Sequence, residues 1–310
     1  VLPAQVFYNS KVDSVINLVS SISIANFNKD LSGEQPVTIG GNVYRIYSRK
    51  YDSPMNPVAA QYIHEKFLGY GLETRYQNND SSIINVIGKK TGTKYPNKYF
   101  IICAHYDNIT FIPSDTVYGA DDNASGMSAV LESARLLANM QLDYTVYFIA
   151  FDEEEIVLRG SRAYSDSAFA RGDSIIGVLN LDMIGYDGNN ESKIFAAVNP
   201  QSVELADDFI VVNLLYNIGL IPIKNVNGVV GSDHYPFWLK GYKAFYGFEH
   251  NSYPFYHTIE DRFDKINLAY LTKVIKNSIG TLLSWAKGIK AYIDHTQINS
   301  SADTSSKVAT

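Results

Sequence analysis

"YFIICAHYDN", residues 99–108, is the stretch that decides the fold. Tyr99 to Ala104 is a short apolar run, rich in β-branched and aromatic residues, as a buried strand requires. The run stops at an imidazole, His105, and a carboxylate, Asp107. In open α/β sheets the site lies in the crevice outside the carboxyl ends of the strands. Three other runs share the character of the first: "IINVIG" (83–88), "VYFIAF" (146–151) and "IIGVLNLD" (175–182). "VYFIAF" runs into Asp152, Glu153, Glu154 and Glu155, and "IIGVLNLD" ends in Asp182. Between the runs lie helical patterns. Residues 58–69 carry Ala59, Ile63 and Phe67 at four-residue spacing before Gly69 and Gly71. Residues 125–140 put Met127, Val130, Leu131, Ala134, Leu137 and Ala138 on one face, and 268–289 turn Leu271, Ile275, Ile279, Leu282 and Trp285 inward. The alternation predicts an α/β fold with a mixed, largely parallel central sheet flanked by helices on both faces. No composition shift marks a second unit, so one catalytic domain is expected over 1–294, with 295–310 a polar tail or linker stub.

A chain of 310 residues, 46% hydrophobic, is long enough for a large core. The net charge of −6 argues against nucleic acid and anionic membrane surfaces as partners. No apolar run approaches the ~18 residues of a membrane span. With Cys103 as the one cysteine, no intramolecular disulfide can form. The chain opens on Val1 with no signal-peptide pattern, as a processed mature form or a trimmed chain does. With abundant Tyr and surface segments rich in Asn and Ser, this makes a secreted or periplasmic bacterial protein the expectation. A monomer is expected.

"GADDNASG", 119–126, is made of ordinary turn residues. Its place matters more: it follows the His105 strand and enters the next helix, so it can lie over the same sheet edge. "YPFYHTIED", 253–261, brings His257 from late in the chain. A run of four acids is usually a solvated face, but here it follows six apolar residues and so sits at a strand end. His64, in mid-helix, and His295, in the tail, read as structural. Several carboxylates packed beside two histidines at one edge would repel one another and cost stability unless a cation neutralised them. Nitrogen and oxygen ligands without cysteine point to zinc or a similar divalent ion.

Six motifs, "AHYDN", "GADDNASG", "DEEEIVLRGS", "NLDMIGYD", "GSDHYPF" and "YHTIED", occur in an order that resembles the di-zinc aminopeptidases of metallopeptidase family twenty-eight, which include bacterial leucyl aminopeptidases. The resemblance covers about residues 55–290 and implies a zinc-exopeptidase-like fold. It implies two zinc ions per chain. His105 and Asp182 would hold one, Glu155 and His257 the other, and Asp122 would bridge them. Asp107 would orient the His105 ring, and Glu154 would be the general base. The register within the four acids follows from "LRGS", which in the family comes two residues after the glutamate pair; Asp152 and Glu153 are then left to support the site or lie at the surface. A cis peptide between Asp122 and Asn123 is also implied. The substrates implied are peptides with a free amino terminus. Some relatives stabilise the oxyanion with a Tyr or Arg near "SDH", but Val229, Val230 and Gly231 stand there. Tyr246 or Tyr253 are the substitutes, or else packing aromatics. Ser232, Asp233 and His234 are expected to shape the site. Met183, Ile184, Tyr246, Phe248, Tyr253, Phe255 and Tyr256 are the expected pocket wall, about half of them core. This predicts preference for amino-terminal Leu, Met or Phe over charged residues. Glutaminyl cyclases share the fold and several motifs but use one zinc, and a binding protein that has lost its metals is a third reading. A carboxypeptidase would need cations for the substrate carboxylate, and near the late motifs only Lys240, Lys243 and Arg262 stand out.

Overall fold

The computed structural model describes residues 6–78 and 83–288. In chain order the elements are α1 (Ser10–Ile16), α2 (Ser21–Leu31), β1 (Val37–Ile39), β2 (Asn42–Tyr44), α3 (Asn56–Gly69), β3 (Glu73–Gln77), β4 (Asn85–Lys90), β5 (Tyr95–His105), α4 (Ala124–Leu137), β6 (Tyr144–Phe151), α5 (Arg159–Arg171), β7 (Ser174–Leu181), β8 (Lys193–Val198), α6 (Val203–Leu215), β9 (Ile221–Asn225), α7 (His234–Leu239), β10 (Ala244–Glu249) and α8 (Leu268–Ala286). β1 and β2 form a small hairpin, and the other eight strands form one sheet in the order β3-β4-β6-β5-β7-β10-β8-β9. The centre is parallel: β5 pairs with β6 and β7, and β7 with β10. The pairs β3–β4, β4–β6 and β8–β10 are antiparallel.

Alternation along β5 explains why both faces must be covered. Phe100, Ile102 and Ala104 enter the larger core, beneath α4 and α8. Tyr99, Ile101 and Cys103 point the other way, into a smaller core with Tyr164 and Ala168 of α5 and Phe237 of α7. A strand buried on both faces reads as an unbroken apolar run, which is what the sequence presents.

The helices are set by their caps. Asn123 accepts the Gly126 N–H at the start of α4, at 2.8 Å. Ser20 does the same for α2 and Asn267 for α8, while Gly172 closes α5 with φ +69°. The inward residues expected of the last helix are all buried. The outcome is the α/β domain that the sequence predicts. Boundaries differ by a few residues: the run at 83–88 becomes a strand at Asn85–Lys90, and the helix expected to reach 140 ends at Leu137. His64 stacks on Tyr76, with ring centroids 4.4 Å apart, in keeping with a structural role. The expected tail, 295–310, lies outside the described residues. Among the described residues no helix is long and apolar enough to cross a membrane.

Candidate metal centre

His105, the last residue of β5, pairs in register with Phe151, the last of β6. The imidazole and the acids after Phe151 therefore leave the sheet at the same level. Asp182 follows β7, and its N–H bonds to the Gly247 carbonyl of β10 at 3.1 Å. Asp122 comes in on the loop before α4, and His257 on the loop between β10 and α8. The side chains meet around Asp122. Its Oδ1 lies 3.3 Å from His105 Nε2, and its Oδ2 lies 3.1 Å from His257 Nε2. His105 Nε2 is also 3.2 Å from Asp182 Oδ1, and His257 Nε2 is 3.1 Å from Glu155 Oε2. Glu154 joins His105 and Glu155 in a further group, and within each group the ligand atoms lie within 4.8 Å of one another.

Buried polar partners fix these positions. Asp107 accepts the backbone N–H of Glu154 at 3.0 Å and of Glu155 at 3.2 Å, so one carboxylate holds that glutamate pair in place. It also faces His105, whose Nδ1 is 3.5 Å from its Oδ1 and 3.3 Å from its backbone carbonyl. Ser232 donates to Asp182 at 2.7 Å and accepts from Asn180 at 2.8 Å. Asp261 grips the bridging loop: its two oxygens accept the N–H groups of Asp121 and Asp122, at 2.8 and 3.0 Å. Gly119 turns into this loop with φ +57°, and a Cβ there would meet the Asp122 carbonyl at 2.4 Å. The peptide between Asp122 and Asn123 is cis. Arg49, fully buried, donates to the carbonyls of Tyr106, Leu31, Tyr118 and Gly119, tying both metal-side loops to the N-terminal helices.

The electrostatics favour a cation. Burial, helped by Asp122, pushes Glu155 up to about 8. Burial also lifts Glu154 well above the usual carboxylate range, against the pull of His105. Asp233 rises to about 7 and Asp261 to about 8, both chiefly through burial. Burial disfavours the imidazolium of His257, yet hydrogen bonds to Asp122 and Glu155 hold it at about 9. Burial opposes ionisation of Asp122 too, but bonds from His105 and His257 keep it below the ordinary range. The residues fit zinc on two counts. Tetrahedral zinc with bonds of about 2.0–2.1 Å sets its ligand atoms about 3.3 Å apart, near the spacings around Asp122. Glu155 Oε1 is buried without a hydrogen-bond partner, as a carboxylate oxygen left for a cation would be.

Among the expected wall residues, Met183 and Phe248 are half-buried, and Tyr256 is exposed and stacks on His257 at 3.7 Å. Phe255 is also half-buried, its ring 5.6 Å from that of Tyr253. Tyr246 stacks between His234 and Phe248, at 4.4 and 4.5 Å. Ile184 belongs to the core instead, because its chain turns inward with its N–H on Ser125 Oγ. Tyr253 is buried with its hydroxyl donated to Asp261 at 2.6 Å, so that proton is not free for an oxyanion. Asp152 and Glu153 are not surface acids. Asp152 accepts from Asn56 at 2.9 Å and from the Ile84 N–H at 3.0 Å, and Glu153 pairs with Arg159. Lys240, Lys243 and Arg262 pair with Asp166, Glu204 and Glu34, away from the cluster around Asp122. Sequence reading missed Asp261 and Arg49. Asp261 closes the quoted "YHTIED" motif, which was a usable signal; a lone arginine at position 49 offered none.

The profile of peptidase family M28 matches residues 85–282, the greater part of the chain. Aminopeptidase YwaD of Bacillus subtilis is 36% identical over 121 residues, 39% of this chain and 25% of that protein. The chain thus spans about a quarter of the length of the curated relatives it first matches. The LapA aminopeptidase of Legionella pneumophila has a similar fold, with a TM-score of 0.79 and 19% identity over 92% of this chain and 74% of its own. A glutaminyl cyclase of Porphyromonas gingivalis shares the fold as well, with a TM-score of 0.68 and 19% identity over 86% of this chain and 98% of its own. The profile match, spread over the segments that carry the cluster, shows that this chain belongs to peptidase family M28.

Proposed function

We propose that the protein is a zinc-dependent aminopeptidase that removes a large apolar residue from the amino terminus of peptides. The observation that carries this reading is Asp122, whose two oxygens face two different histidines. A single-metal site needs no such carboxylate. In this reading His105, Asp122 and Asp182 hold one zinc, and Asp122, Glu155 and His257 the other. Bound zinc supplies Lewis acidity, polarising the scissile carbonyl and lowering the pKa of water at the site.

The chain's own groups do the rest. Glu154 is buried beside the ligands but is not needed to complete either set. It takes the proton from the attacking water and returns it to the leaving amine as the C–N bond breaks. Asp107 keeps Glu154 aimed by holding its backbone. Met183, Tyr246 and Phe248 offer apolar surface for the first side chain, with no acid or base among them, which favours Leu, Met or Phe over Asp, Glu or Lys. One buried methylene gives about 0.8 kcal/mol, so Leu should exceed Ala at least about tenfold in kcat/KM.

The test combines elemental analysis with three substrates. About two zinc ions per chain and hydrolysis of leucine amide but not of acetyl-leucine amide are expected. One firm equivalent of zinc with cyclisation of an amino-terminal glutamine would establish the cyclase instead. Equal cleavage of the free and acetylated amides would refute the aminopeptidase reading.

A further inference from the structure

Beside the metal ligands a cavity of about 370 Å³ opens to solvent, within the range of small-molecule sites, about 300–1,000 Å³. Glu154 and Glu155 form its inner end. Its walls include Val157, Val230, Tyr235 and Tyr256, and Arg162 lies on its lining. Three features mark it as built for a ligand. Val157 and Val230 are 73% and 57% exposed, an arrangement that leaves apolar surface in water unless something covers it. Val157 and Leu158 both have left-handed backbones, φ +64° and +59°. For a β-branched residue that is a true outlier, of the sort that clusters at ligand sites. Arg162 is held by its Nε, which donates to the Val157 carbonyl at 3.0 Å, and among the described residues it pairs with no acid. A cation without a carboxylate, next to a cluster crowded with carboxylates, is shaped to take an anion from outside.

The direction of the substrate follows from Glu154. The leaving amine receives its proton there, so what lies beyond Glu154 faces the leaving part of the peptide. Resting on the aminopeptidase reading, we propose that this cavity selects short peptides. Arg162 pairs with the free carboxylate of a di- or tripeptide, and Val157 and Val230 flank an apolar second side chain. The exposed pairing of Arg162 sets the size of the effect, about fivefold, the upper end for a partly solvated ion pair.

The experiment compares Leu-Leu with Leu-Leu amide on the zinc-loaded full chain. Wild type should favour the free acid about fivefold in kcat/KM, Arg162→Met should bring that ratio close to one through KM, and Arg162→Lys should restore part of it. Calorimetric titration of Leu-Leu into zinc-loaded Glu154→Gln, with and without Arg162→Met, should show the same loss in affinity without any turnover. In Val157→Gly, melting temperature should hold or rise, since glycine relieves the left-handed strain, while selectivity for Leu-Leu over Leu-Gly falls. Ratios near one in wild type, or unchanged in Arg162→Met, would overturn the proposal while leaving the aminopeptidase standing. Failure to cleave either peptide while leucine amide is hydrolysed would also overturn the proposal, whereas failure on leucine amide as well would remove the aminopeptidase reading itself.

Discussion

The two halves of the candidate metal centre are built differently. His105 and Asp182 stand at the ends of β5 and β7, strands buried on both faces, and are steadied by Asp107 and Ser232. Glu155 and His257 come from loops with several left-handed residues, Glu153 (φ +53°), Val157, Leu158 and His257 itself (φ +53°), where the strand-borne half has one, Met183 (φ +53°) after Asp182. Glu155 Oε1 and His257 Nδ1 lack protein partners, whereas the Asp182 carboxylate is bonded on both oxygens. The strand-borne half is positioned by the core, and its cost is spread over the whole sheet. The loop-borne half is positioned by local strain, which is easier to relax. A two-metal site assembled this way should hold its ions unequally.

The largest effect is expected where the comparison does not apply, at the group that serves chemistry rather than binding. Glu154→Gln should lower kcat by about 10²–10⁴-fold with both zinc ions retained, because only the proton acceptor is lost. Zinc content measured alongside turnover checks this. Should Glu153→Gln be the inactive variant instead, the assignment within the four acids is displaced by one. Next comes the contrast itself. In His257→Ala one zinc should be lost and the other kept, and stepwise chelation of wild type should release first the ion that this variant lacks. Two ions leaving together, or the His105 ion leaving first, would break the comparison.

The sequence made the strand-borne half legible because a buried strand is a contiguous run, so its end, and the ligand there, can be read directly. His105, Asp182 and the acids after Phe151 were found that way. His257 and the "GADDNASG" loop were picked out by residue type and place, since no periodicity marks them; the resemblance supplied the choice of Asp122 within that loop and the metal roles. What stayed hidden acts across long sequence separations. Asp261 reaches back to Asp121 and Asp122, and Arg49 ties residue 31 to residues 106, 118 and 119. The "YHTIED" motif marked Asp261 but not its reach, and nothing local marked Arg49. Arg162 and Val157 were missed for a further reason: a left-handed valine is a backbone fact, and nothing in "EIVLRGSR" announces it. Ile184 is one of the wall residues that fell to the core, as about half were expected to, because an apolar residue after a ligand can point either way.

Asp261 offers a sharper probe of the joint between the halves. Asp261→Ala removes the acceptor for two buried N–H groups and for the Tyr253 hydroxyl. Each orphaned buried donor costs about 1–3 kcal/mol, so a fall of at least about 3 kcal/mol in stability is expected from denaturant unfolding. Zinc affinity should weaken about 10–100-fold, as when a partner that orients a ligand is lost. Because Asp122 belongs to both halves, both ions should weaken. Loss confined to one ion would mean that the loop is fixed from one side only.

The smallest effect is expected at His234, on the strand-borne side. Its ring is buried, stacks on Tyr246 and shares a 2.7 Å hydrogen bond with the Val229 carbonyl. Burial pushes its pKa down to about 4, from an ordinary value of 6.5. The sign follows from proton counting. Between those two values the unfolded chain binds the proton and the folded one does not, so acid favours unfolding. The His234 contribution is therefore flat above pH 6.5, is lost as pH falls from 6.5 to 4, and is flat again below. Between pH 7 and pH 5 it amounts to about 2 kcal/mol. His234→Phe keeps a ring against Tyr246 and removes the proton. It should shift stability by a constant, from the lost bond to Val229, and flatten the slope by that amount. Buried acids titrate in the same interval with the opposite sign, but they are common to both proteins and cancel in the difference. Denaturant unfolding of wild type and variant at pH 7 and pH 5 measures it. Parallel slopes would mean that His234 takes up its proton inside the folded protein, and that the 229–234 segment opens to water at mildly acid pH.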